Sequence, residues 1–190
     1  MHGDAAAHDP PDRPHGDPFR LAPSNRPCDP FTRNVMRAGP RATVALVCSS
    51  GGHLTQLYNL KPWWDAFDRV WVTFDTPDAT SRLEGESVVW AYHPTTRNVP
   101  NLVRNTLLAW KTLRKTRPRL VVSTGAAIAF PFFLIAKLRG IATVYIEVFD
   151  RIDSATLSGR LCYPLSDLFL VQWEEQKEMY PQAELVGPLL

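Results

Sequence analysis

The chain has 190 residues, 45% of them apolar and 21% charged, enough for one domain with a real hydrophobic core and cramped for two. Its 21 basic and 19 acidic residues leave a net charge of +2, so bulk electrostatics give no reason to expect nucleic acid as a partner. Three scattered cysteines (Cys28, Cys48 and Cys162), with no CxxC and no His at metal-ligand spacing, argue against a disulfide framework or a metal centre and fit a reduced, cytoplasmic setting.

Residues 1–40 are crowded with Pro, Asp, Arg, Gly and His and hold only isolated apolar side chains. Such a segment buries too little surface to offset the entropy of ordering it, and it reads as a disordered Pro-rich tail. Its His2, His8 and His15 read as solvated rather than metal-binding. No secretory leader is evident and no apolar stretch reaches the roughly 20 residues that span a bilayer, so any membrane contact is expected to be peripheral.

Order is expected over residues 41–190. Residues 42–48 (ATVALVC) form a continuous apolar run of strand length that breaks into Ser49-Ser50-Gly51-Gly52. Leu54, Leu57 and Leu60 then recur at helical spacing up to Pro62, and residues 69–74 read as a second strand. The alternation continues with a strand at 87–92, a helix at 101–115, a strand at 120–123, a helix at 126–138 and strands at 143–147 and 167–171. Strands alternating with helices predict a single Rossmann-like doubly wound parallel sheet. Right-handed crossovers place every strand's C-terminal end on one edge, where such sheets bind ligands.

Three loops fall on that edge. Ser49-Ser50-Gly51-Gly52-His53 joins a strand to a helix; paired glycines admit close backbone approach, and a helix N-terminus suits a diphosphate. A tight turn with Ser50 capping the helix accounts for the same residues. His53 stands where the positive helix end favours the neutral imidazole a general base must be, although a capping or packing His has the same address. Ser123-Thr124-Gly125 is a second strand-to-helix turn open to an anion, a sugar or plain helix capping. The third loop starts at Glu147, which ends an apolar strand and is suited to binding sugar hydroxyls, ordering the loop or acting as a base; Asp150 and Arg151 follow. Trp173 offers a flat apolar face of the kind that sugars or protein partners cover.

Two competing fingerprints fail or weaken. No G-K-[ST] follows the glycines, which excludes a P-loop, and SSGGHL lacks the G-x-G-x-x-G order of a dinucleotide site, although Asp75 ends the second strand where a ribose-binding carboxylate would belong. The helix at 101–115 carries Leu102, Val103, Thr106, Leu107, Trp110 and Leu113 on one side and a stripe of Arg104, Lys111 and Lys115 on another. That stripe fits anionic lipid or a solvated face. The helix at 126–138 is apolar nearly all round, which suits burial under the sheet, or lipid contact through its Phe residues.

Taken together, Cys48-Ser49-Ser50-Gly51-Gly52-His53-Leu54, Ser123-Thr124-Gly125, Tyr145-Ile146-Glu147 with Arg151, and Leu157-Ser158-Gly159-Arg160 running through Gln172-Trp173 to Tyr180-Pro181 and Val186-Gly187 resemble a known family. It is the membrane-associated acceptor-side subunit of the enzyme that adds the second GlcNAc to dolichol-linked GlcNAc, together with bacterial capsule and exopolysaccharide relatives. The resemblance spans about residues 42–190. It implies one half, the N-terminal one, of a two-Rossmann-domain (GT-B) inverting glycosyltransferase, with UDP-sugar held by a separate donor-binding subunit. The acceptor would be a polyprenyl-diphosphate-linked sugar, at a membrane surface on the inner face of the plasma membrane. It further implies that Ser49, Ser50, Gly51, Gly52, Thr124, Gly125 and Arg151 bind the diphosphate or the acceptor, with the Gly51-Gly52 loop at the diphosphate, that His53 or Glu147 activates the acceptor, and that Trp173 and Tyr180 contact the partner chain. No cofactor and no metal is expected. A docking scaffold without catalysis and a dinucleotide-binding domain are the alternatives.

Overall fold

The computed structural model describes residues 43–189; the Pro-rich tail with its histidines, and Cys28, lie outside them. In chain order the elements are β1 (Thr43–Val47), α1 (Gly52–Asn59), α2 (Lys61–Trp64), β2 (Asp68–Phe74), α3 (Pro77–Arg82), β3 (Val88–Ala91) and α4 (Val99–Thr116). They continue with β4 (Leu120–Ser123), α5 (Ala129–Leu138), β5 (Ala142–Ile146), α6 (Leu157–Cys162), β6 (Leu168–Val171) and β7 (Glu184–Leu185). The seven strands pair in parallel in the order β3-β2-β1-β4-β5-β6-β7. This is the expected Rossmann-like doubly wound sheet. Its strand order reverses between β1 and β4, so the loops leaving those two strands part to opposite faces and open a crevice at the sheet edge.

Both faces of the sheet are covered, which is why its strands read as unbroken apolar runs. Val44 and Leu46 of β1 point to one side, where they meet Leu54 and Leu57 of α1, Trp64 of α2 and Trp71 of β2. Ala45 and Val47 point to the other, against Ala109 and Leu113 of α4 and Phe132 and Phe133 of α5. Cys48 closes β1 as a small core residue, fully buried, and burial pushes its thiol up to about 12.

Several elements depart from the sequence reading. Helices α3 and α6 and the two-residue β7 have no apolar period long enough to announce them. Helix α5 starts at Ala129 rather than Ala126, because Gly125 (φ 108°) and Ala126 (φ 66°) hold the chain in left-handed backbone conformations. Its Phe132 and Phe133 are wholly buried, which overturns the lipid-facing alternative for that helix. Helix α4 departs from the usual amphipathic rule: beside Ala109 and Leu113 it buries Asn101, Asn105 and Thr112, and it leaves Leu102, Val103, Leu107 and Trp110 exposed.

Candidate functional site

At the strand-order reversal the segments that follow β1 and β4 are joined by a reciprocal pair of hydrogen bonds. His53 Nδ1 lies 2.7 Å from the Thr124 carbonyl oxygen, and Thr124 Oγ1 donates to the His53 carbonyl at 2.7 Å. A carbonyl oxygen only accepts, so Nδ1 must carry the proton, and in the neutral ring the lone pair then sits on Nε2. The half-buried imidazole is thereby fixed in one tautomer, with its basic nitrogen on the far side of the ring. Gly125 makes this possible: its φ of 108° is unsuited to an L side chain, and a Cβ there would lie 2.8 Å from the Tyr145 hydroxyl and 3.2 Å from His53 Cε1.

On the β1 side of the crevice, Gly51 adopts φ 75° and Gly52 opens α1. Both glycines are exposed with open space around them, and Ser49 and Ser50 are half-buried beside them. No side chain caps α1, so the expectation that Ser50 does so is not met. The Gly51 N–H instead donates to Asp78 Oδ2 of α3 at 2.9 Å. The Thr76 hydroxyl, then this amide, hold the Asp78 carboxyl below the usual carboxylate range. An anion of the chain itself therefore occupies the place where the sequence suggested a diphosphate. Asp75, the carboxylate of the dinucleotide reading, is exposed and accepts only from Thr80 Oγ1, at 3.4 Å.

Glu147 is wholly buried. Its carboxylate accepts from the Tyr180 hydroxyl at 2.6 Å, from Thr156 Oγ1 at 3.1 and 3.3 Å and from the Val148 N–H at 3.1 Å. Burial raises its pKa, and those donors together with the nearby His53 partly offset the rise. Gly159 leaves the room this cluster needs, since a Cβ there would collide with both the Glu147 carboxylate and the Tyr180 hydroxyl. Thr156 also caps α6 by accepting from the Gly159 N–H at 2.8 Å. A carboxylate so enclosed orders the loop that follows β5; it is not presented to a ligand in the crevice.

Tyr180, expected at a partner interface, is 1% exposed, and its ring packs on Tyr163 and Phe169. That expectation is corrected: the hydroxyl is committed to Glu147. Trp173 is half-buried, and its indole N–H donates to the Phe149 carbonyl at 2.6 Å. Arg151 is exposed, and its carbonyl accepts from the Gln176 side chain at 2.9 Å.

Two glutamines to which the sequence reading gave no role tie these loops together. Gln176, 0% exposed, donates to the Val148 and Arg151 carbonyls at 2.9 Å and accepts from the Gln172 and Trp173 N–H groups. Gln172 donates to Gln56 Oε1 of α1 at 2.7 Å and to the Glu147 carbonyl at 2.9 Å, and accepts from the Leu189 N–H at 2.9 Å. Thus the helix that carries His53, the Glu147 loop and the C-terminal segment form one hydrogen-bonded unit. Among the described residues no group of three His, Cys, Asp or Glu side chains is placed to hold a metal ion.

Comparison with known proteins bears on this arrangement. Residues 91–189 match the family described as "Oligosaccharide biosynthesis protein Alg14 like". The UDP-N-acetylglucosamine transferase subunit ALG14 of Homo sapiens is 27% identical over 188 residues, covering 82% of this chain and 87% of the relative. Among solved structures, Acinetobacter baumannii MurG superposes with a TM-score of 0.58 at 14% identity, over 70% of this chain and 41% of its own. S. aureus MnaA, solved with UDP, gives a TM-score of 0.64 at 10% identity, over 78% of this chain and 45% of its own. At such identities the structures share a fold, and the chain spans less than half the length of either.

Proposed function

The chain belongs to the family of Alg14-like oligosaccharide biosynthesis proteins, and from that premise we propose that it is the acceptor-side subunit of a two-component inverting glycosyltransferase. In this reading residues 41–190 form the acceptor-binding half, a second polypeptide holds UDP-N-acetylglucosamine, and the acceptor is a sugar on a polyprenyl diphosphate at a membrane surface. His53 Nε2 takes the proton of the acceptor hydroxyl while that oxygen bonds to the donor's anomeric carbon from the face opposite the leaving group. The bond from that carbon to the diphosphate oxygen breaks, and UDP departs with the electron pair. A base suffices for inversion; no covalent nucleophile is needed.

The observation that carries this reading is the His53 Nδ1 contact with the Thr124 carbonyl across the sheet's switch point, which leaves Nε2 as the acceptor nitrogen on the ligand-binding edge. Thr124 and Gly125 position the ring, and the Gly51–Gly52 loop meets the acceptor diphosphate once Asp78 gives up the Gly51 amide. Arg151 lies on the Glu147 loop and supplies a cation to the same anion. Glu147 is a positioning residue in this scheme. The premise that the donor sits on another chain draws support from the human relative, which is named a transferase subunit and of which 87% is covered.

The test is transfer from UDP-N-acetylglucosamine to a short-chain polyprenyl-diphosphate sugar, with this chain and a candidate donor subunit purified separately and mixed. Activity with both chains and with neither alone is expected. Turnover by this chain alone refutes a split site, and normal turnover of His53→Ala in the mixture refutes the base.

A further inference from the structure

From Ser87 to Ile146 the sequence holds nine Lys and Arg residues and not one Asp or Glu, although the whole chain carries a net charge of only +2. Helix α4 lies in the middle of this stretch, and buried amides join Ala109 and Leu113 in fixing its orientation. Asn105 accepts from the Tyr92 N–H and donates to the Tyr92 carbonyl, both at 2.9 Å, and Asn101 donates to the Pro94 carbonyl at 2.9 Å. These bonds pin the helix to the edge of the sheet by its amides. What faces out is an apolar ridge: Val99 is 68% exposed, Val103 54%, Leu107 58% and Trp110 43%.

The outward surface is divided by charge as well. At 100° per residue Val99, Val103, Leu107 and Trp110 fall within one sector, and Arg104, Lys111 and Lys115 within the next. Trp110 lines an open groove with Lys111, Arg114, Lys115 and Arg117, and the Arg139 guanidinium lies 5.4 Å from its ring centroid. A solvated helix does not place its longest apolar side chains outward. Protein-binding faces also use Trp and Arg, but nine cations without one acidic side chain from Ser87 to Ile146 complement an anionic surface. Apolar ridge, adjoining basic flank and boundary Trp are together what an anionic bilayer surface selects.

We propose that the exposed face of α4 is a membrane-docking surface whose ridge, from Val99 to Trp110, enters the headgroup–acyl boundary while Lys111, Arg114, Lys115 and Arg117 hold anionic lipid headgroups. The helix follows β3 and so begins at the C-terminal edge of the sheet, the edge that carries His53. A docked α4 sets that edge towards the bilayer. No described helix is long and apolar enough to cross a membrane, so attachment through these residues is interfacial.

Docking through α4 needs no assignment of His53, and its first test is vesicle binding. The full chain is mixed with vesicles of phosphatidylcholine alone or of phosphatidylcholine with phosphatidylglycerol, and partition is read by flotation. Binding to the anionic vesicles that weakens with added salt is expected. Leu107→Glu should lower the partition coefficient about tenfold or more, and Lys111→Glu with Arg114→Glu should flatten the salt dependence. The substituted side chains are exposed, so unchanged thermal melting confirms that each variant folds. Equal binding of Leu107→Glu and the parent chain, or no binding of the parent chain to anionic vesicles, overturns the proposal. So does loss by Leu107→Glu of transfer to a detergent-soluble short-chain acceptor in the mixed-subunit assay, because the face would then serve the partner chain. Retained transfer with lost flotation supports lipid docking and leaves the catalytic reading intact.

Discussion

Replacing Glu147 by Gln and by Ala separates an organising carboxylate from a catalytic one. Glu147 satisfies three buried or half-buried donors: the Tyr180 hydroxyl, Thr156 Oγ1 and the Val148 N–H. Truncation to Ala strands all three, and leaving a buried donor unpaired costs about 1–3 kcal/mol. Allowing for relaxation, Glu147→Ala should lose about 3–5 kcal/mol, a large share of the 5–15 kcal/mol that holds an ordinary domain together. Gln keeps the volume and one acceptor oxygen, so its loss should be about 1 kcal/mol, set against removal of a buried charge. The pH dependence supplies the sign. Burial raises the Glu147 pKa above its ordinary 4.5, so the folded chain holds this proton more tightly than the unfolded one. That contribution is fully present below the unfolded pKa and is lost as pH rises through the folded pKa. Gln does not titrate; relative to the parent, Glu147→Gln should therefore gain stability from about pH 4.5 upward, levelling off above the folded pKa. Urea denaturation of both proteins across that range measures it. Transfer by the mixed subunits should persist in Glu147→Gln. A loss of about 10²–10⁴-fold in turnover with unchanged stability would be the mark of a general base and would refute the organising role.

Three further outcomes follow from the same geometry. His53→Ala should fold normally yet lose about 10²–10⁴-fold in turnover, as read by steady-state transfer with both subunits present. Asp78→Asn keeps an oxygen for the Gly51 amide but removes the charge that competes with the acceptor diphosphate; KM for the acceptor should fall by about two- to fivefold with kcat unchanged, and a raised KM would mean that this loop does not meet the acceptor. Gly159→Ala drives a methyl group into the Glu147–Tyr180 contact and should cost about 1–3 kcal/mol, measured by thermal denaturation. A neutral result there would show that the cluster has slack.

The sheet was legible because a parallel strand covered on both faces is apolar over most of its length, and residues 42–48, 69–74 and 120–123 declare themselves that way. The two loops beside His53 were legible for a related reason: apolar runs that stop at Ser49-Ser50-Gly51-Gly52 and at Thr124-Gly125 end parallel strands at the edge where such sheets bind ligands. What lay beyond reading were contacts between distant polar residues. Gln172 and Gln176 look like surface amides, and only the fold brings them to the carbonyls of Glu147, Val148 and Arg151. The tie between Tyr180 and Glu147 spans 33 residues and has no local signature. One signal was available: Gly159 three residues after Thr156 marks a capped helix start whose third position tolerates no Cβ. Helix α4 misleads for the opposite reason. Its apolar period is real, but Asn101 and Asn105 bond to Pro94 and Tyr92 in the segment after β3 and turn inward with Ala109 and Leu113, and periodicity alone does not say which side faces in.

Two carboxylates near the crevice are driven in opposite directions, Asp78 downward by the Thr76 hydroxyl and the Gly51 amide, Glu147 upward by burial. Such divergence commonly marks an acid and a base, yet geometry assigns the roles differently here. Asp78 is ionised and exposed but spends an oxygen on the loop beside the crevice. Glu147 is held above the usual carboxylate range by burial but is sealed behind Tyr180, Thr156 and Gly159. His53 alone combines a fixed tautomer with a ring nitrogen left over on the ligand-binding edge, and it owes the tautomer to a backbone carbonyl rather than to a carboxylate. Its orientation therefore rests on Gly125, whose left-handed φ lets Thr124 present that carbonyl and whose missing Cβ leaves space for the ring.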